Sequence, residues 1–290
     1  MMRNMNEIVG KRQEAVKKCF KDFAYQNRLL LYFLFVLVIS WAIWIPMALN
    51  QLNIIVFEIP LLLGSTIGAF GPLLCLIILE KLTKNHISAD KILKTIRIRG
   101  ENRRWLIIAA AMFPLLTIGG IILNFIAGNE GTLQIFAPGL LNDLGWWLIA
   151  VIPLVLFAML LSSPLLEEPG WRGFALGELQ TKFGRQLGSL ILGSFWWIWH
   201  IPIHIATGVE ISLYFYLLMV SYSFVIDSIF NLSNRNLLSA MLAHSSVFII
   251  YTFFDLGTNN WFIIVAFVCA IILLRVYEWK RERSDLPFCI

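Results

Sequence analysis

Long apolar runs separated by short polar stretches dominate the chain. Runs able to cross a hydrocarbon core of roughly 30 Å, about 20 residues each, lie near 28–49, 59–80, 105–127, 144–166, 187–207, 211–231, 236–253 and 260–277. They predict an all-α, polytopic membrane bundle of about eight transmembrane helices. The last runs are joined by very short loops, so seven is the alternative count. No internal repeat, low-complexity tract or soluble domain interrupts the pattern. The simplest partition is a tail over 1–28, one transmembrane domain over 29–280, and a second tail over 281–290. Within 1–28, Ile8, Val9, Val16, Cys19, Phe20 and Phe23 recur at roughly helical spacing. That tail reads either as an amphipathic helix on the inner leaflet or as a solvated segment.

Composition agrees with a membrane class: of 290 residues, 59% are hydrophobic and 14% charged. The placement of charge supplies an orientation. Seven basic residues fall in 1–28, eight in 81–104, three in 167–186, one at Arg235 and four from Arg275 onward, which accounts for all 23. The loops 50–58, 128–143, 208–210 and 254–259 carry none. Lys and Arg collect on the cytoplasmic side, so an even number of spans puts both termini in the cytoplasm of a multi-pass cell-membrane protein. The net charge of +5 then reflects topology and attraction to anionic membrane lipid, not nucleic-acid binding. The first apolar run begins late and is longer than a signal-peptide core, so it reads as a retained anchor. Cys19, Cys75, Cys269 and Cys289 show no paired spacing and read as free thiols. Cys289 is second from the end, where a prenylation motif needs Cys fourth from the end.

Ionisable groups at membrane depth are costly and mark function. They concentrate in Glu167-Glu168-Pro169-Gly170-Trp171-Arg172-Gly173, directly after the apolar run 144–166. On a helix Glu168 and Arg172 are four apart with the acid first, the favourable orientation for an ion pair, while Glu167 lies about 100° round the axis and stays free. A carboxylate in a poorly hydrated cavity suits a general base. Pro169 weakens this geometry by removing a helical hydrogen bond or starting a new helix. The bland alternative is an interfacial cap solvated by headgroups. Two further apolar segments add His200 and His244, each of which could instead be a packing hydrogen bond. His204 follows His200 by four residues, but HExxH is absent and Pro202 intervenes, which argues against a zinc pair there. Glu58, Glu80, Asp143, Asp227 and Asp255 fit interfacial positions, with burial the alternative for Asp227. His86 lies in a basic loop.

Taken in order, these segments resemble the CAAX-protease and bacteriocin-processing family of intramembrane proteases, the type II CAAX prenyl endopeptidase group. EExxxR is matched at Glu167, Glu168 and Arg172. The aromatic-xxx-His motif is matched at Trp196 and His200, with Trp in the place of Phe. The third histidine, usually HxxxN, is matched at His244, where Phe248 stands in the place of Asn. The likeness covers about 153–251, the expected catalytic core. It implies that Glu167 activates water beside His200, that Glu168 and Arg172 hold the site's electrostatics, and that His244 stabilises the oxyanion. Phe248 removes a candidate oxyanion donor, so either Ser245, Ser246 or a backbone group substitutes for it or activity is reduced. Two mechanisms explain the same residues: zinc held by Glu167, His200 and His244, or an unaided glutamate/histidine pair.

The leading expectation is therefore an intramembrane endopeptidase acting on a membrane-associated protein or peptide. A non-catalytic bacteriocin immunity or scaffold protein of the same fold is the alternative, and Phe248 makes it more credible. A proton-coupled transporter using Glu167, His200 and His244 as a relay is a third reading, against which stands the lack of repeat halves.

Overall fold

A computed structural model describes residues 18–83, 87–98, 103–130, 132–257 and 260–284. His86, Cys289 and most of the N-terminal tail lie outside the described residues. Within that tail, residues 18–26 are helical, and Cys19, Phe20 and Phe23 are exposed or partly exposed.

Most of the described chain is helical, with α1 Arg28–Gln51, α2 Leu61–Ala69, α3 Gly71–Leu82, α4 Ala89–Leu93, α5 Arg103–Ile126, α6 Leu140–Leu144, α7 Leu148–Leu160, α8 Ser163–Gly170, α9 Leu176–Phe183, α10 Arg185–Ala206, α11 Leu213–Leu232, α12 Leu237–Phe253 and α13 Trp261–Ser284. Among the described residues, six helical stretches are long and apolar enough to cross a membrane: α1, α2 with α3 as one, α5, α10, α11 and α13. The pair Leu140–Trp147 and Ala150–Leu160, bent by 91°, makes a seventh if taken as one span, and α12 is an apolar helix of 17 residues. The polytopic all-α bundle is thus observed, with the count of about eight roughly met.

One expected span differs. The run 144–166 is not a single helix. Gly145 takes φ +47°, a conformation that only glycine adopts without strain, and the chain turns there through a short 3-10 segment, Gly145–Trp147. It breaks again at Ser162, after which Pro164, in the first turn of α8, starts a new helix. Glu167 and Glu168 therefore do not sit at the rim of a span. They ride on a separate short helix, α8, held inside the bundle.

The bundle is apolar on the outside and encloses a hydrophobic core with a set of buried polar residues inside it. Leu34, Val38, Ile107, Leu115, Leu154, Phe157 and Leu273 are all exposed, the surface expected where the solvent is lipid. Helices α11 and α12 lie inside; 67% of the most apolar window of α11 is buried. Small residues let helices close on one another. Ser246 Oγ on α12 reaches the Ala109 carbonyl on α5 at 3.2 Å, and a Cβ at Gly170 would overlap the Tyr32 hydroxyl of α1 and the Pro72 carbonyl of α3. Arg275, counted among the basic residues of the chain's end, is in fact buried; it donates to Glu278 and Ser189 at 2.8 Å each. Cys75 is a buried free thiol, and Cys19 and Cys269 are exposed ones.

Candidate active site

The site begins with a backbone irregularity. Pro169 cannot donate the amide hydrogen bond a helix needs at its position, and just beyond it Trp171–Ala175 widens into a π turn. Such single-turn widenings recur at functional sites. Pro169 thus loosens the helix instead of ending it, and Glu168 and Arg172 still meet, Nη1 to Oε1, at 2.9 Å.

Glu167, Glu168 and Arg172 are at most 1% exposed. A headgroup-solvated cap would be wet, so that alternative is set aside by burial. Arg172 has further partners on α11. Its Nε donates to Asp227 Oδ1 at 3.0 Å and its Nη2 to Ser223 Oγ at 2.9 Å. Asp227 is fully buried, the second of the two placements open to it from sequence. Two buried carboxylates, Glu168 and Asp227, therefore share a single guanidinium. Desolvating such a group rarely adds stability, which points to function.

His244 enters from α12. Its Nδ1 lies 2.7 Å from Glu168 Oε1; a carboxylate accepts, so this nitrogen carries the hydrogen and Nε2 is left facing away. Glu168 therefore grips both Arg172 and His244. His200 on α10 turns Nδ1 to the Trp196 carbonyl at 2.8 Å. A carbonyl also only accepts, so Nε2 is again the nitrogen left for chemistry.

Glu167 stays out of the Arg172 ion pairs, as the helical wheel implies, and is held by two neutral donors instead. Ser163 Oγ, one turn earlier on α8, donates to Oε1, and the Trp196 indole N–H donates to Oε2 at 3.0 Å. Trp196 also packs edge-on against both imidazoles, with centroids 5.1 Å from His200 and 5.2 Å from His244. The Arg172 Cζ lies 5.2 Å from the centroid of the same ring. One indole thus joins Glu167, His200, His244 and Arg172 into one cluster.

Phe248 lies nearly parallel to the His244 ring, 5.9 Å away at 12°. Ser245 Oγ donates to the Met241 carbonyl at 2.7 Å, and Ser246 Oγ is placed against the Ala243 and Ala109 carbonyls. Each hydroxyl has one hydrogen, so neither serine stands in for an asparagine here. His204, in the last turn of α10, stacks on His200 at 5.2 Å. Among the described residues no three His, Cys, Asp or Glu groups are placed to hold a metal ion together. Glu167, His200 and His244 thus do not form a ready ligand set in this arrangement.

Sequence reading passed over Asp227 as a site member, and Ser163, Ser223 and the donor role of Trp196. Ser223 and Asp227 are four apart on an otherwise apolar helix, hence on one face. That spacing was the available signal.

The cluster lies inside an all-α bundle with six described helical stretches long and apolar enough to cross a membrane. Residues 146–250, which hold every member of the cluster, match the family model described as type II CAAX prenyl endopeptidase Rce1-like. The chain is also 25% identical over 181 residues to a protein of Methanococcus maripaludis named CAAX prenyl protease 2, an alignment covering 62% of this chain. It spans 64% of that relative's length. The resemblance read from the motifs stands on both comparisons.

Proposed function

We propose that this protein is an intramembrane endopeptidase that hydrolyses a peptide bond near the membrane-anchored end of a protein or peptide. The observation that carries the proposal is the Glu167 carboxylate, buried, held by two donors and flanked through Trp196 by two imidazoles. Glu167 takes a proton from water, and the resulting hydroxide attacks the scissile carbonyl while His200 Nε2 orients it. His244, as imidazolium with Nδ1 kept on Glu168, donates from Nε2 to the oxyanion; such preorganised donors contribute several kcal/mol. Protonated Glu167 then gives its proton to the leaving amine as the C–N bond breaks. Arg172 balances Glu168 and Asp227 throughout. Both termini face the cytoplasm, where the charged loops gather, and substrate enters from that side.

The test is cleavage of lipid-anchored peptides by purified protein beside Glu167→Gln, each with and without chelator. The wild type cleaves; the amide variant, which cannot take the proton, does not. Loss of cleavage with chelator would favour the zinc mechanism instead. Equal cleavage by both proteins defeats the assignment of Glu167.

One observation favours a second reading. Phe248 covers a face of His244 where the resembled pattern has a polar donor, and both neighbouring serines are committed to backbone. A non-catalytic immunity or scaffold role fits that arrangement. It wins if neither protein cleaves while Glu167→Gln still protects cells from a bacteriocin.

A further inference from the structure

Resting on the hydrolytic reading above, we propose that Trp196 is a positioning residue whose indole N–H fixes the Glu167 carboxylate for catalysis. An indole nitrogen can only donate, and this one meets Oε2 at 3.0 Å from a ring 2% exposed. The contact is not a default of buried tryptophan. The indole nitrogens of Trp171, Trp197 and Trp199, close by on the same elements, have no partner among the described residues.

The second oxygen of Glu167 is held locally by Ser163, so rotation of the carboxylate is stopped at both ends, once from α8 and once from α10. Trp196 also keeps both imidazoles at a fixed spacing through edge contacts. A phenyl ring, the residue of the resembled motif, would supply the edge contacts and leave Oε2 without its donor. The indole at position 196 thus supplies both a shape and a hydrogen-bond donor to Glu167.

Two replacements separate donor from shape in the full-length protein: Trp196→Phe, and 3-benzothienylalanine at position 196, which keeps the bicyclic outline and lacks the N–H. On a lipid-anchored peptide, both lower kcat about tenfold or more, the scale of one hydrogen bond to a charged group, with KM little changed. Full kcat in the benzothienyl variant overturns the proposal and leaves ring shape as the whole role of Trp196. A readout free of catalysis accompanies this: thermal unfolding of wild type, Trp196→Phe, Glu167→Ala and the double variant. The two losses are less than additive if the residues hold each other; strict additivity overturns the contact. Should the wild type cleave nothing, or Glu167→Gln cleave as well as wild type, it is the hydrolytic reading that fails, and Trp196 loses its catalytic role with it. The thermal cycle then reports the Trp196–Glu167 contact alone.

Discussion

Replacing Arg172 by methionine removes the only guanidinium of the cluster while keeping an unbranched apolar side chain in its space. In the native protein Arg172 and both its carboxylate partners have fully buried side chains, at 2.9 Å to Glu168 and 3.0 Å to Asp227. The variant leaves Asp227 without its guanidinium and Glu168 with His244 alone. Breaking a buried pair from one side costs about 3–5 kcal/mol. The two pairs share one cation, so their losses do not simply add. For a chain of this size the drop in Tm is on the order of 10 °C. Unfolding can be followed by thiol-reactive fluorescence at the buried Cys75, in a background with Cys19, Cys269 and Cys289 changed to Ser. Adding Glu168→Gln and Asp227→Asn to Arg172→Met removes the stranded charges and recovers part of the loss. A Tm for Arg172→Met close to that of the wild type refutes the electrostatic reasoning. Failure of the triple variant to recover any stability would mean that lost packing, not charge, is responsible.

Three other outcomes are expected. Phe248→Asn raises peptide turnover about 10²-fold, the usual contribution of one oxyanion donor, while Ser245→Ala and Ser246→Ala leave it near wild type because both hydroxyls serve backbone carbonyls; steady-state kinetics decide both. Gly170→Ala destabilises by about 1–3 kcal/mol, since its Cβ would overlap Tyr32 and the Pro72 carbonyl, and unchanged thermal unfolding would contradict that packing. Single cysteines introduced at Asn53 and Asn129 are labelled by an impermeant reagent from outside the cell; labelling of Asn129 only from the cytoplasmic side overturns the eight-span orientation.

The sequence by itself determined most of the helical elements and their apolar character, because one helix's length and hydropathy are local properties that a bilayer reads directly. It also determined the Glu168–Arg172 pair, whose spacing of four is built into any helix and survives the π turn after Pro169. The break of 144–166 at Gly145 and Ser162 was present in residue identity, yet continuous hydrophobicity masked it. What only the tertiary structure decided are the contacts between distant positions. Trp196 meets Glu167 across 29 positions, Asp227 meets Arg172 across 55, and His244 meets Glu168 across 76. Each depends on which face of a buried helix turns toward α8. Hydrophobic periodicity carries no such information for helices that are apolar all round. Packing alone therefore assigned Glu168 to His244, brought Trp196 to Glu167, and drew Asp227 into the cluster.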